Sequence, residues 1–423
     1  MFKNFIQKRL QKLTVKYLKK HTPKLVVVTG SVGKTGTKLA IATVLAEKYR
    51  VRVHEGNHNT HMSVPLAILG VDYPEDVHSI SAWLAVFSAI NLRIKGEKDV
   101  DVIVQELGTD FPGDISLFGT YLHPDIAVVT AVSPEHMEFF HDIEAVAKEE
   151  LSVAAYSNLT IINRDDIDVS FSHLTETHSI DTYGLSEAAE YRIDLDDASP
   201  LEGKMGRFIG PEWDAVSVNL QLVGVHNIKA AVAAGVVGIR LGLSSQQVAV
   251  GLSKVTPVAG RMQLLRGMNG STLIDDTYNS SPLAAIAAIE TLYAIDAPQR
   301  IAILGSMNEL GAFSEEAHKQ VALHCDPNKL AWVVTIGKEA ATYLAPVALA
   351  KGCQVKSFDS PYQAGGFVHG VIEPGAVILA KGSQNGVFAE EALKVLLHST
   401  EDEELLVRQS PAWLQTKSDQ FSL

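Results

Sequence analysis

LVVVTGSVGKTGTK, residues 25–38, sets an apolar β-forming run, Leu25 to Thr29, against Gly30-Ser31-Val32-Gly33-Lys34-Thr35 and then a helical stretch, Lys34 to Lys48. In a strand–loop–helix of this kind, backbone N–H groups and the helix N-terminus surround phosphate oxygens. Lys34 then reaches the β/γ-phosphates and Thr35 ligates Mg²⁺. The common spacing, Gly-x-x-x-x-Gly-Lys-Ser/Thr, places its first glycine five residues before Gly33, where this chain has Val28, still inside the strand. Gly30 is therefore the first glycine of a shorter loop, and the unit belongs to a parallel α/β sheet.

Outward from this unit, short β-rich runs alternate with helical ones, which indicates parallel sheets. Strands are expected at Leu25–Thr29, Val102–Leu107, Ile126–Ala131 and Leu159–Asn163, with helices at Lys34–Lys48, Ile143–Tyr156 and Asn227–Leu241. Residues 183–222 alternate patchily among scattered Gly and Pro, as antiparallel strands decorating the first domain would. After VAGRMQ (258–263) a second βα series begins, with strands at Thr272–Asp275, Ile301–Leu304, Trp332–Ile336 and Ala376–Ala380. The expected division is a basic helix over 1–24, an ATP-binding domain over 25–262, a second α/β domain over 263–400, and an acidic, polar tail over 401–423 that reads as surface or partly disordered.

Bulk properties exclude several classes. The 423 residues suffice for two or three domains with cores of their own. A net charge of −13 argues against bulk nucleic-acid binding, which depends on a basic surface. Cys325 and Cys353 are the two cysteines, too few for a disulfide framework or a four-cysteine zinc site, and a reducing cytoplasm fits. No apolar run reaches the roughly 18 residues of a membrane span, and no signal core precedes the loop.

The first 24 residues depart from the acidic average. Phe2, Phe5, Ile6, Leu10, Leu13, Tyr17 and Leu18 fall near one helical face, with Lys3, Lys8, Arg9, Lys12, Lys16, Lys19 and Lys20 around the rest. The favoured reading is a helix docked on its own domain with a wet basic face. The alternative is peripheral contact with an anionic membrane.

A magnesium-dependent loop needs a carboxylate beyond the C-terminal ends of neighbouring strands. Glu106 in QELGTDFPGDI (105–115) and His136 in LHPDIAVVTAVSPEHMEFF (122–140) both follow strands. Taken with EGNHNTHMSVPLAILG (55–70), INRDD (162–166), LVGVHNIKAAVAAG (222–235), PVAGRMQ (257–263), LIDDTYNSSPLAAIAAIETL (273–292), AILGSMNELG (302–311) and VILAKGS (377–383), the ordered set resembles the Mur ligase family, collinear over roughly residues 25 to 395. Within it the likeness is greatest to the branch that adds D-alanyl-D-alanine to a muramoyl tripeptide.

The resemblance implies a P-loop central domain, mostly parallel with a small antiparallel part, followed by a Rossmann-like α/β domain. It implies ATP and Mg²⁺ as cofactors, with Gly30, Ser31, Gly33, Lys34 and Thr35 cradling the phosphates. Glu106 and His136 match magnesium ligands, Asn227 the adenine-binding asparagine, Arg261 the arginine reaching the ATP phosphates, and Asp276 the ribose-binding aspartate. Asn57 and Asn59 match the loop facing the substrate carboxylate, while Lys381 and Ser383 line the site for the incoming amine. The implied reaction is transfer of the γ-phosphoryl of ATP to a carboxylate, followed by attack of an amino acid or dipeptide amine on the acyl phosphate.

Several positions depart from the family pattern. Only residues 1–24 precede the loop, where the family carries a domain for the UDP-sugar, so a lipid-linked or other carboxylate donor, or a partner protein supplying that domain, is considered. Many Mur ligases place a carbamylated lysine where this chain has Glu150; Glu150 is the preferred carboxylate, with Lys148 as the runner-up and two surface charges the remaining reading. Ser63 replaces the glycine before Val-Pro. His58 and His61 stand among the asparagines with no further Cys or His cluster, which sets zinc aside. Gly36 stands where the family usually has a hydroxyl residue. The expected function is amide formation in cell-wall precursor assembly. The alternatives are a superfamily ligase for another carboxylate, such as a polyglutamylating one, or a nucleotide-binding regulator.

Overall fold

The computed structural model describes residues 2–54, 56–134, 137–176, 178–196 and 204–421. Glu55 and His136 lie outside them. The first sheet has nine strands: β1 (Lys24–Thr29), β2 (Val51–Val53), β3 (Val102–Glu106), β4 (Ile126–Val129), β5 (Leu159–Asn163), β6 (Ile180–Gly184), β7 (Tyr191–Leu195), β8 (Lys204–Gly210) and β9 (Trp213–Leu220), in the order β2-β3-β1-β4-β5-β6-β7-β8-β9. Pairing is parallel from β2 through β7, and only β7–β8 and β8–β9 are antiparallel. The antiparallel strands thus extend the main sheet by its edge, with β6 and β7 still parallel. The patchy alternation over 183–222 did not reveal this, because pairing direction is set by crossovers rather than by side-chain period.

β1 sits between β3 and β4, so the chain leaves it in opposite directions and opens a crevice beyond its C-terminal end, where the loop of residues 30–35 lies. Alternate strand residues serve two cores. Val26 and Val28 face the helices Lys34–Leu45 and Val225–Arg240, while Leu25 and Val27 face the opposite layer. That second layer includes the helix Phe2–His21, whose Ile6, Leu10, Leu13 and Tyr17 are buried with Trp83, Phe87 and Ile90 of the helix Ile80–Lys95. The N-terminal helix is docked on its own domain through that face, although Phe5 remains 65% exposed.

The second sheet comprises β10 (Gln263–Arg266), β11 (Thr272–Asp276), β12 (Arg300–Gly305), β13 (Trp332–Ile336), β14 (Val355–Phe358) and β15 (Val377–Lys381), ordered β10-β11-β15-β12-β13-β14. All pairs are parallel except β10–β11. The last strand inserts between β11 and β12 and brings Lys381 into register with Asp276.

The polar tail is built into the fold. A helix spans Pro411–Phe421, and within it Lys417 is fully buried, paired with Glu390 at 3.0 Å and Glu391 at 2.5 Å. Arg408 forks onto Glu390 at 2.8 and 2.6 Å and donates to the carbonyls of Thr277 and Tyr278 at 2.7 and 3.0 Å. Most of the described tail is nonetheless surface, as its composition suggests; Lys417 and Arg408 depart from that because their partners lie some twenty residues upstream, beyond any local pattern.

Candidate active site

The C-terminal ends of the two sheets face one cleft of about 920 Å³. Its floor is the loop after β1. Gly30 and Gly33 adopt φ of 122° and 89°, and a Cβ at Gly30 would stand 2.3 Å from Thr130 Oγ1, so glycine is required there. Gly33 caps the helix Lys34–Leu45 with no side-chain acceptor, which leaves its first N–H groups available to an anion. Lys34 Nζ donates to the Gly30 carbonyl, curling over the loop. Ser31 points elsewhere: its hydroxyl bonds the Ala131 carbonyl at 3.1 Å and accepts from the Ser133 N–H at 2.7 Å. Its backbone N–H is taken as well, donating to the Ala131 carbonyl at 3.0 Å.

Thr35 donates to Glu106 Oε2 at 3.0 Å, uniting the first turn of the helix with the end of β3. The same carboxylate accepts from Asn59 Nδ2 at 3.2 Å and pairs with Lys38 Nζ at 3.4 Å. Lys38 and Glu106 are each 1% exposed. Burial pushes the Lys38 ammonium below the usual lysine range, while Glu106 beside it pulls the other way. Lys38 was quoted in the opening run without being given a part. Its signal is the spacing: four residues after Lys34, it lies on the same side of the helix.

From the other sheet, Asp276 at the end of β11 binds Lys381 Nζ at 2.6 Å, and Lys381 also donates to the Asn279 carbonyl at 3.0 Å. Arg261 stacks on the Tyr278 ring at 4.4 Å, and its buried Nε has no hydrogen-bond partner. Stacking costs a guanidinium little of its donor capacity, so its fork remains available to an anion. Asn227 spends both amide protons on the carbonyls of Val223 at 2.9 Å and Arg261 at 3.1 Å, which leaves its oxygen as the group it can present to a donor. His226 lies beside it with an unpartnered, buried Nε2; burial lowers its pKa, opposed by Asp166 and Asp276.

The remaining expected residues divide. Asn57 and Asn59 line the cleft. Ser383 does not: it is 1% exposed, bonds the Ser280 carbonyl at 3.3 Å and accepts from the Asn308 N–H at 2.9 Å, so it braces the cleft wall from beneath. Asn308 and Gln384 take the lining positions there. Glu150 is fully buried under the phosphate loop, where it accepts the Gly30 N–H at 2.8 Å and the Thr29 hydroxyl, whereas Lys148 is exposed on the outer side of the same helix. Of the two, Glu150 is the one brought to the loop. His136 lies outside the described residues.

The profile of the Mur ligase middle domain matches residues 28–238, and that of the Mur ligase glutamate ligase domain matches residues 260–384. The chain belongs to the Mur ligase family. A curated relative, the UDP-N-acetylmuramoyl-tripeptide--D-alanyl-D-alanine ligase of Bacillus subtilis, is 28% identical over 396 residues, covering 92% of this chain and 79% of the relative. Among solved Mur ligases, MurF from Acinetobacter baumannii superposes with a TM-score of 0.77 at 20% identity, over 93% of this chain and 81% of that one. The MurF ligase of Thermotoga maritima, solved in complex with ADP, gives a TM-score of 0.75 at 24% identity, over 92% and 83%. Mur ligases are ATP-dependent ligases, and the loop after β1 lies in the middle-domain match, while Arg261, Asp276 and Lys381 lie in the second.

Proposed function

We propose that this Mur ligase joins a peptide carboxylate to the amine of D-alanyl-D-alanine, or of a similar dipeptide or amino acid, at the expense of ATP during peptidoglycan precursor assembly. The observation that carries this reading is the convergence of the Thr35–Glu106 pair, Lys34, Arg261 and the Asp276–Lys381 pair on one cleft. A carboxylate is a poor acyl donor. Its oxygen attacks the γ-phosphorus of ATP, ADP leaves, and the acyl phosphate forms; the amine nitrogen then attacks the acyl carbon, loses a proton, and expels inorganic phosphate.

Each step concentrates negative charge, and the residues present answer it. The N–H groups that open the helix Lys34–Leu45 and the Lys34 side chain hold the β- and γ-phosphates, Arg261 reaches them from the second domain, and the Asn227 oxygen accepts from the adenine amino group. Asp276 takes the ribose, with Lys381 fixing its carboxylate at the edge of the amine site. Asn57 and Asn59 face the donor carboxylate. Thr35 and Glu106 form a hard-oxygen donor pair of the kind Mg²⁺ prefers; they, with His136 as the family pattern implies, would hold the ion, which would supply charge neutralisation for phosphoryl transfer. Glu150 fixes the loop from below. Holding the phosphates from the first sheet while the ribose and amine groups stand on the second lets closure of the cleft complete the site and exclude water.

The test is phosphate release from ATP in the presence of Mg²⁺ with pools of peptide carboxylates and of dipeptides, followed by mass analysis of the product. Release that needs both substrates and yields an amide supports the ligase. Release that needs neither marks a nucleotide hydrolase and overturns the reading.

A further inference from the structure

The helices Phe2–His21 and Ile80–Lys95 run side by side in the same direction. At one end Phe2 and Ile6 share the cleft mouth with Val77 and Trp83; at the other, Lys20 Nζ donates to the carbonyls of Ile94 and Lys95 at 2.7 and 3.0 Å. Their inner faces are buried together, and their outer faces are unusual for a surface in water. Helix Ile80–Lys95 exposes Ile80, Leu84 and Leu92 at 65%, 62% and 68%, with Ala85, Ser88 and Ala89 exposed between them, and carries no charged residue before Arg93. A water-facing helical surface ordinarily carries its charges there, and contiguous exposed aliphatics mark an interaction site.

The neighbouring helix supplies what the first lacks. Phe5, 65% exposed, is followed at helical spacing by exposed Arg9, Lys12, Lys16 and Lys19, with Lys3 and Lys8 beside them and no acidic residue in the helix. The exposed Asp72, Glu75 and Asp76 of the loop before Ile80 are outnumbered by these cations. Aliphatic side chains beside a row of lysines match an anionic bilayer: the cations lie among lipid phosphates and the leucines enter the acyl boundary. The net charge of −13 for the whole chain turns its other faces away from the same surface.

We propose that this two-helix face docks on an anionic lipid bilayer with the cleft mouth at its edge, and that the carboxylate donor is carried on a membrane lipid. The second half rests on the ligase reading given above; the first does not.

The experiment is flotation of the full chain with phosphatidylcholine vesicles made with and without phosphatidylglycerol. Binding at least about tenfold tighter to the anionic vesicles, falling as salt screens it, is expected. Leu84→Gln/Leu92→Gln and, separately, Lys8→Gln/Lys12→Gln/Lys16→Gln should each lower binding about tenfold while leaving ATP binding and the melting temperature unchanged. Equal binding to both vesicles, or variants that bind as the parent does, overturns the docking. So does a change of mass in solution without a change in flotation, which would assign the face to a protein partner. In the same vesicles, a carboxyl-terminated peptide coupled to a lipid headgroup should turn over faster than the free peptide, and Leu84→Gln/Leu92→Gln should erase that advantage alone. Flotation without turnover of any donor overturns the ligase reading and leaves docking standing. Turnover of soluble donors without flotation does the reverse.

Discussion

The Glu106–Lys38 pair offers a measurement of how the cleft is held before any ligand arrives. Both side chains are 2% exposed, and Glu106 meets Lys38 at 3.4 Å while also accepting from Thr35 and Asn59. Glu106→Gln keeps the shape and removes the charge, so the Lys38 ammonium is left with the Gly56 carbonyl at 3.1 Å as its acceptor. Breaking a buried pair costs about 3–5 kcal/mol, and that remaining acceptor places this case near the lower end, about 3 kcal/mol. Lys38→Met leaves a carboxylate that still has two donors, and about 2 kcal/mol is expected. In the double variant neither charge is stranded, so the loss should fall to about 1–2 kcal/mol, a coupling of about 3–4 kcal/mol. For a domain of this size the first single variant should melt roughly 6–12 °C below the parent. The assay is urea unfolding followed by circular dichroism with EDTA present and nucleotide absent. Single-variant losses that add within about 0.5 kcal/mol in the double would refute the claim that this is one interacting pair.

Three further outcomes follow from the geometry. A Cβ at Gly36 meets no atom within 4 Å, so Gly36→Ala should stabilise the helix by about 0.5–1 kcal/mol in thermal unfolding and leave the ATP dependence of phosphate release unchanged. Asp275 is fully buried and its carboxyl is pushed up to about 7 by desolvation, against the pull of Thr277. Because the folded pKa lies above the unfolded one, the folded chain holds this proton more tightly; the stability this carboxyl contributes is fully present below about pH 4 and is lost as pH rises toward 7, at most roughly 1.4 kcal/mol per pH unit, and Asp275→Asn should remove that slope from unfolding curves. Arg408→Met removes the fork that ties the tail to the carbonyls of Thr277 and Tyr278, so the Michaelis constant for ATP should rise severalfold with a smaller change in kcat, and Arg408→Lys should restore part of it.

Much of the fold can be read in the sequence because its signals are local. A strand followed by a glycine loop and a helix defines β1, the loop and the helix after it within fourteen residues, and Gly33 and Lys34 stand where that reading puts them. The strands Leu159–Asn163 and Trp332–Ile336 have the expected bounds, since buried parallel strands are continuous apolar runs. The exposed edge strands β2, β10 and β14 carry no such run and were missed. Asp276, Arg261 and Lys381 were legible through short motifs that recur in order along a known family.

What depends on distance along the chain was decided only by the tertiary structure. Glu106 and Lys38 stand on different elements and become partners because β3 packs beside β1, just as the insertion of β15 between β11 and β12 pairs Asp276 with Lys381 across 105 residues. Ser383 reads as a lining residue and is a buried brace; Glu150, preferred to Lys148 on the family's spacing, is buried at the loop while Lys148 faces water. Sequence patterns report which face of an element is apolar. They carry no record of which polar groups a fold will bring within hydrogen-bonding distance, and for a buried charge that partner, rather than its own type, determines what it does.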